Sequence, residues 1–336
     1  MIRDCIIKVT GGESLSTDEA SAAMDCIMDG EATPAQIAGL IIALKQRGET
    51  AKEVAGFVRS MRAHSTKIEL DDPDAADLVG TGGDGAHTFN VSTASALVAA
   101  AAGVTVAKHG NRSVSSHCGS ADILEATGGH INPGPEKVQS NINEIGFGFM
   151  FAPRFHPAMK HAVGPRRDLG VRTVFNILGP MTNPASVTRQ VTGVYSPGIM
   201  ALVAEVLEMT GSVHALVAHS RDGLDEFSVC APTDYIEIRD GRRKEETLSP
   251  EDCGLRQYPS GALSGGNPEY NKNLLNEVLR GEKSAYRDAV LLNAGALLYT
   301  GNKTKTIVDG VDLTTKAIDS GAAADLLARW CRLSHP

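Results

Sequence analysis

The chain has 336 residues, enough for one large domain or two at about 150 residues each. Apolar residues make up 42% and charged residues 21%, a globular balance able to fill a sizeable core. The net charge of −8 argues against non-specific binding to nucleic acid or an anionic membrane, since both reward a basic surface, and leaves room only for a local basic pocket.

The N-terminus, Met1-Ile2-Arg3-Asp4-Cys5, has no long apolar stretch, so no secretory leader is expected. The first sixty-odd residues predict three short helices. Ser16 with Glu19, Thr33 with Gln36 and Thr50 with Glu53 have capping-box spacing, and Pro34 stands at a first helical position. Behind the caps run apolar stripes at helical spacing, among them Ile37, Leu40, Ile41 and Leu44. An acidic linker with a helix-breaking proline, Leu70-Asp71-Asp72-Pro73-Asp74, then changes the pattern. Short β-type runs alternate with helical ones after it, which predicts an α/β domain with a central, mostly parallel sheet. Strands are expected at Val104–Ala107, Phe147–Phe151, Gln190–Tyr195, Ala215–Ala218 and Tyr235–Ile238. Helices are expected from about Thr93, from Ser120 to Thr127, from Pro135, and near Gly198–Met209, Asn271–Arg280, Tyr286–Tyr299 and Leu313–Trp330. The longest nearly apolar run, Ala94–Ala107, is broken by Ser95, Gly103 and Thr105 and is shorter than the ~20 residues that span a bilayer. The six cysteines are scattered with no Cys-x-x-Cys, which reads as reduced thiols in a cytoplasmic protein.

Chemistry concentrates between residues 80 and 120. Gly80-Thr81-Gly82-Gly83-Asp84-Gly85 formally matches the dinucleotide fingerprint G-x-G-x-x-G. A dinucleotide loop opens directly into its helix and finds an acid about 20 residues on; here the helix comes later, and that region offers Lys108 and His109. NAD is set aside. Four glycines in six residues instead make a nest of backbone N–H groups suited to an anion. Asn90, Ser92 and Thr93 stand at the next helix start, where a cap needs only one of them and a phosphate uses more. Lys108-His109-Gly110-Asn111-Arg112-Ser113-Val114-Ser115-Ser116 is a short basic, glycine-punctuated loop for a second anionic group, and Ser120 offers another helix start. The adjacent acids Asp225 and Glu226 suit Mg²⁺ held jointly with substrate phosphates. Arg166, Arg167 and Arg172 include a guanidinium for a carboxylate substrate.

In Gly80–Gly85, Asn90–Thr93, Lys108–Ser116, Gly119–Glu125, Arg166–Pro184 and Leu224–Glu226, and through nearly its whole length, the chain resembles the anthranilate phosphoribosyltransferase family. The resemblance implies a small helical domain (1–70 plus about 165–184) and a large α/β domain (71–164 and 185–336), of the nucleoside phosphorylase and phosphoribosyltransferase type. It implies a homodimer formed through the helical domains, with no nucleic-acid or membrane partner. It implies phosphoribosyl pyrophosphate (PRPP) contacts at Gly80, Gly83, Asp84, Thr88, Asn90, Val91, Ser92, Thr93, Lys108–Ser116 and Ser120. Gly80, Asn111 and Arg166 would meet anthranilate; Arg166 is preferred to Arg167 because it lies three residues before Leu169. Ser92, Asp225 and Glu226 would hold two Mg²⁺ per subunit. No side chain is assigned as general base, and His109 is read as a structural loop histidine. His117-Cys118 and Thr127 depart from the family pattern, away from its ligand positions. A pyrimidine nucleoside phosphorylase and a non-catalytic nucleic-acid-binding relative of the same fold are the alternatives; the acidic pair counts against the first and the net charge of −8 against the second.

Overall fold

Each capping box opens a helix. In the computed structural model, which describes residues 1–113 and 117–336, Ser16, Thr33 and Thr50 accept from the backbone N–H three residues on. Glu19, Gln36 and Glu53 reach back to the N-cap N–H, so two otherwise unpaired donors are satisfied at each start. A further helix precedes them. The four are α1 (Ile2–Thr10), α2 (Thr17–Met28), α3 (Pro34–Arg47) and α4 (Ala51–Ala63), which corrects the expectation of three. α1 has no side-chain cap at Met1 and so no start signal, yet it buries Ile2, Cys5 and Val9 on one face.

There follow β1 (Ala76–Gly80), α5 (Val91–Ala101), β2 (Val106–Gly110), α6 (Ser120–Ala126), α7 (Pro135–Ile145) and β3 (Phe147–Phe151). Next come α8 (Ala152–Phe155), α9 (Lys160–Leu169), α10 (Phe175–Leu178), β4 (Arg189–Gly193), α11 (Met200–Met209) and β5 (His214–Ser220). The chain closes with β6 (Thr233–Arg239), β7 (Arg242–Leu248), α12 (Pro268–Leu279), α13 (Ala285–Thr300), α14 (Ile307–Asp319) and α15 (Ala322–Ser334). The single helix expected over Leu313–Trp330 is thus two. Gly321 separates them at φ 83, a left-handed conformation that glycine adopts without a side-chain clash.

The strands form one seven-stranded sheet in the order β3-β2-β1-β4-β5-β6-β7. The first five are mutually parallel, and β6 and β7 add an antiparallel edge. This is the expected α/β class. The edge strand β7 was not foreseen: its sequence, Arg-Arg-Lys-Glu-Glu-Thr-Leu, is charged and largely exposed, without apolar alternation. One face of the sheet packs on α5, α13 and the α14–α15 pair in an apolar core that runs from Leu78 through Phe147 to Trp330. The other packs on α11 and on the N-terminal helices in a core that also includes Ala162, Val174, Phe175, Ile177, Leu178 and Met181.

From β1 the chain moves outward to β2 and β3, then returns to β4 on the opposite side of β1. That reversal places β1 and β4 side by side, with the carboxyl ends of both strands at one sheet edge, the place where open α/β sheets bind ligands. No described helix is long and apolar enough to cross a membrane.

Candidate active site

β1 and β4 both end in glycine, and the two glycines are register partners, Gly80 opposite Gly193. A Cβ at Gly193 would overlap the backbone carbonyl of Asp225, and one at Gly80 would overlap the Asp225 carboxylate. The paired glycines therefore form a slot that seats Asp225 at the strand reversal. Gly193 was not singled out in the sequence, because nothing local marks it as the neighbour of residue 225.

Beyond Gly80 the chain turns through Gly82, Gly83 and Gly85 at φ 66, 76 and 77, conformations closed to most side chains. Gly82 N–H donates to Asp225 Oδ2 at 2.7 Å, and Ala86 N–H to Asp84 Oδ1 at 3.1 Å. Gly82 and Gly85 are exposed, so the turn opens to solvent. Its ends are braced. Tyr195 N–H donates to Thr81 Oγ1 at 3.0 Å, Thr88 bridges to Ser264, and Gly265 N–H reaches the His87 carbonyl at 2.9 Å.

The start of α5 lies beside this turn. Asn90 is its N-cap residue by position, but its side chain faces elsewhere, donating to the Cys118 carbonyl and accepting from Asn271, both at 2.9 Å. The helix N–H of Ser92 is taken by Glu226 Oε1 at 3.0 Å. Val91, buried, contributes through its backbone, donating to the Phe89 carbonyl at 2.7 Å. Thr93 Oγ1 donates to Ser120 Oγ at 3.0 Å, which joins the start of α5 to the start of α6. The acidic pair is fixed from behind by Asn293, which accepts from Phe227 N–H at 3.0 Å and donates to the Phe227 carbonyl at 2.7 Å. Asp84 adds a third carboxyl. Burial, then Asp84, pushes the Asp225 pKa well up; burial, then Asp225, does the same to Glu226. Among the described residues no three His, Cys, Asp or Glu side chains form a ready-made cation cage.

β2 brings Lys108 into the interior. Its Nζ donates to the Leu78 carbonyl at 2.6 Å, and burial lowers its pKa while Asp77 and Glu226 oppose the change. Asp77, also buried, is held by Asn183 at 2.8 Å and is pushed up to about 6, chiefly by desolvation. His109 packs against His156 with ring centroids 5.1 Å apart and the rings tilted by 53°, and Nε2 of each is buried without a hydrogen-bond partner among the described residues. Burial pushes His109 down to about 3, and His156 to about 4. Both imidazoles are thus neutral near pH 7, and His109 is a poor proton acceptor. Gly110 ends the strand, and Asn111 Oδ1 accepts from Arg112 N–H at 2.7 Å. The Arg112 guanidinium is occupied by Asp122 and Glu125, each at 2.8 Å. Ser113 N–H donates to Asp122 Oδ2 at 3.0 Å. Val114, Ser115 and Ser116 lie outside the described residues.

The two histidines give a pH prediction. Their folded pKa values lie below the usual 6.5, so their contribution to stability is complete above that pH and is lost as pH falls toward 4. Asp77, raised to about 6, works in the opposite direction, costing stability as pH rises from about 4 to 6. Asp225 and Glu226, raised by burial, oppose the histidines as Asp77 does, so the histidine contribution is read by difference. Between pH 7 and 5 the melting temperature of His156→Gln should fall less, or rise more, than that of wild type, and an equal change in both would show that His156 takes up its proton equally in the folded and unfolded states.

Two neighbouring arginines differ sharply. Arg166, half-buried in the last turn of α9, holds its guanidinium 5.2 Å from the Phe175 ring centroid, and burial lowers its pKa. Arg167 is exposed and, among the described residues, pairs only with its neighbour Asp168, at 3.3 Å. The half-buried guanidinium is the one able to offer a desolvated fork to a carboxylate.

Residues 3–65 match a glycosyl transferase family, helical bundle domain, and residues 72–324 a glycosyl transferase family, a/b domain. The chain is 51% identical to the anthranilate phosphoribosyltransferase of Thermomicrobium roseum, over 100% of this chain and 97% of that one. It is 48% identical to that of Pelotomaculum thermopropionicum, over 96% and 94%. The chain belongs to the anthranilate phosphoribosyltransferase family. It is a pentosyltransferase of that family, and neither a nucleoside phosphorylase nor a non-catalytic nucleic-acid-binding relative. Among solved structures it resembles the family's enzyme from Thermus thermophilus, with TM-score 0.93 and 45% identity, covering 98% of this chain and 99% of that one. The Saccharomyces cerevisiae enzyme in complex with PRPP and Mg matches with TM-score 0.91 at 27% identity, over 99% and 97%. The same yeast enzyme with 4-fluoroanthranilate matches with TM-score 0.88 at 26% identity, over 99% and 97%.

Proposed function

We propose that the open glycine turn, the two helix starts and the acidic pair serve the transfer of the 5-phosphoribosyl group from PRPP to the amine of anthranilate, with release of pyrophosphate, in tryptophan biosynthesis. One observation carries the reading. Asp225 and Glu226 meet the Gly82 and Ser92 N–H groups at 2.7 and 3.0 Å, so sequence elements more than 130 residues apart converge at the β1–β4 reversal.

In this reading the N–H groups of the turn and the starts of α5 and α6 face the phosphoryl groups, with Gly80, Gly83, Asp84, Thr88, Asn90, Ser92, Thr93 and Ser120 around the sugar phosphate. The second half of β2, from Lys108, and the segment after it to Ser113 bound the site on its β2 side. Arg166 pairs with the anthranilate carboxylate, and Asn111 and the Gly80 backbone border the ring. Holding the neutral arylamine over the anomeric carbon supplies proximity, and the amine needs no strong base to attack. The donor set of Asp84, Asp225, Glu226 and the Ser92 hydroxyl is all oxygen, which fits a hard cation shared with substrate phosphates. Two Mg²⁺ per subunit, held by Ser92 with Glu226 and by Asp225 with Glu226, would neutralise charge developing on the leaving pyrophosphate.

The helical unit comprises residues 1–70 and about 165–184 in this reading, supported by the apolar core that α1–α4 share with Phe175 and Met181. Its exposed Ile7 and Val171, with Val163 just before its second segment, support pairing with a second copy, a homodimer that light scattering would detect. Cys5, Cys26, Cys230, Cys253 and Cys331 are free thiols, which supports a reducing, cytoplasmic setting.

The test is loss of anthranilate fluorescence on adding PRPP and Mg²⁺. Turnover with pyrophosphate release is expected, and its absence would overturn the reading. Arg166→Ala should raise the anthranilate KM about tenfold or more, the scale of a lost charge-assisted hydrogen bond, while Arg167→Ala leaves it nearly unchanged. A rise confined to the PRPP KM would remove Arg166 from the anthranilate site.

A further inference from the structure

Arg172 lies in the loop between α9 and α10, on the helical side of the molecule, and is exposed. Its backbone carbonyl accepts from Lys45 Nζ of α3 at 2.6 Å, which ties the loop to the N-terminal helices. Its guanidinium reaches toward the sheet edge, stacks 4.3 Å from the Tyr195 ring centroid and donates through Nη2 to the Gly83 carbonyl. Tyr195 itself grips the other end of the same turn, through its N–H to Thr81 Oγ1 at 3.0 Å. The side chain thus bonds a backbone carbonyl and a π face, and forms no ion pair among the described residues.

The Gly83 carbonyl and the Asp84 N–H belong to one planar peptide unit and point in opposite directions. Fixing the carbonyl fixes the aim of the N–H. Glycine at φ 76 would otherwise leave that peptide free to rotate, because Gly83 has no side chain to anchor it. From this geometry we infer that Arg172 is a positioning residue: it straps the glycine turn from the helical side and holds the turn's N–H groups in the orientation that receives the PRPP phosphates. Arg172 acts through the turn, and the strap couples the seating of phosphate to the placement of the helices that carry it. The inference rests on the PRPP reading above.

The test uses the full-length enzyme with wild type, Arg172→Ala, Arg172→Lys, Tyr195→Leu and the Ala–Leu double variant. Arg172→Ala should raise the PRPP KM about tenfold, as the loss of one hydrogen bond to a charged donor does, with the anthranilate KM and the melting temperature unchanged. Arg172→Lys should recover part of the loss. Tyr195→Leu should raise the same KM less, and the double variant should be no worse than Arg172→Ala alone, because both substitutions undo one strap. Without substrate, amide exchange at Gly82, Gly83 and Asp84 should quicken in Arg172→Ala. An unchanged PRPP KM with unchanged exchange overturns the inference, as does a rise confined to the anthranilate KM. A wild-type enzyme that does not consume PRPP would overturn the functional reading instead, and the exchange measurement would still judge the strap.

Discussion

Turnover should fall about a thousandfold or more when Asp225→Asn and Glu226→Gln are combined, with the fold retained. The fold survives because each amide keeps the size of its acid and still offers an oxygen to Gly82 N–H and Ser92 N–H, contacts that the two acids make in the protein. Activity is lost because an amide brings no negative charge to the Mg²⁺ that Asp225 and Glu226 would hold. Raised Mg²⁺ should rescue little, since the affinity is removed at its source. The measurement is kcat and kcat/KM across a Mg²⁺ titration, beside circular dichroism and melting. Activity within a few-fold of wild type would reduce the pair to helix- and turn-capping groups.

The second large effect separates two glycines that face the same residue. Gly193→Ala should destabilise the protein by about 3 kcal/mol, because the new methyl overlaps the Asp225 backbone and one of the paired strand ends must move. Gly80→Ala should cost much less stability and much more activity per unit of stability lost. Its methyl meets the Asp225 carboxylate, a side chain that can rotate away from the overlap and so abandon its place beside Gly82 N–H. Denaturant melts paired with kcat/KM would show the contrast. Equal losses of stability would mean that the slot is looser than its geometry indicates.

The parts legible in the sequence are those whose signals are local. Three capping boxes, the left-handed glycines of the turn and the stretch from Phe147 to Phe151 each announce themselves within a few residues. α1 was silent because it lacks a side-chain cap, and β7 because its charges give no alternation. α14 and α15 read as one helix because a single glycine inside a helical pattern is usually tolerated. The site's supports were hidden for a different reason. Gly193, Asn293 and Asn183 act on residues 32, 66 and 106 positions away, respectively Asp225, Phe227 and Asp77, and only the sheet order brings them together. Lys108 shows the limit most clearly. Its position in a basic run suggests a side chain turned toward an anion, whereas it is the central residue of a buried strand and points its amine inward at the Leu78 carbonyl.

The charged β7 also bears on how the molecule behaves in a crowded solution. A sheet must stop somewhere, and its outermost strand offers unpaired peptide groups to any passing chain. Here that border carries Arg242, Arg243, Lys244, Glu245 and Glu246 in immediate succession, mostly in water. A neighbouring strand laid alongside would have to strip the solvent from each of them and find an opposite charge for every one. The charges thereby close the border to polymeric growth, and replacing them with valine or threonine would leave catalysis untouched while opening a route to aggregates.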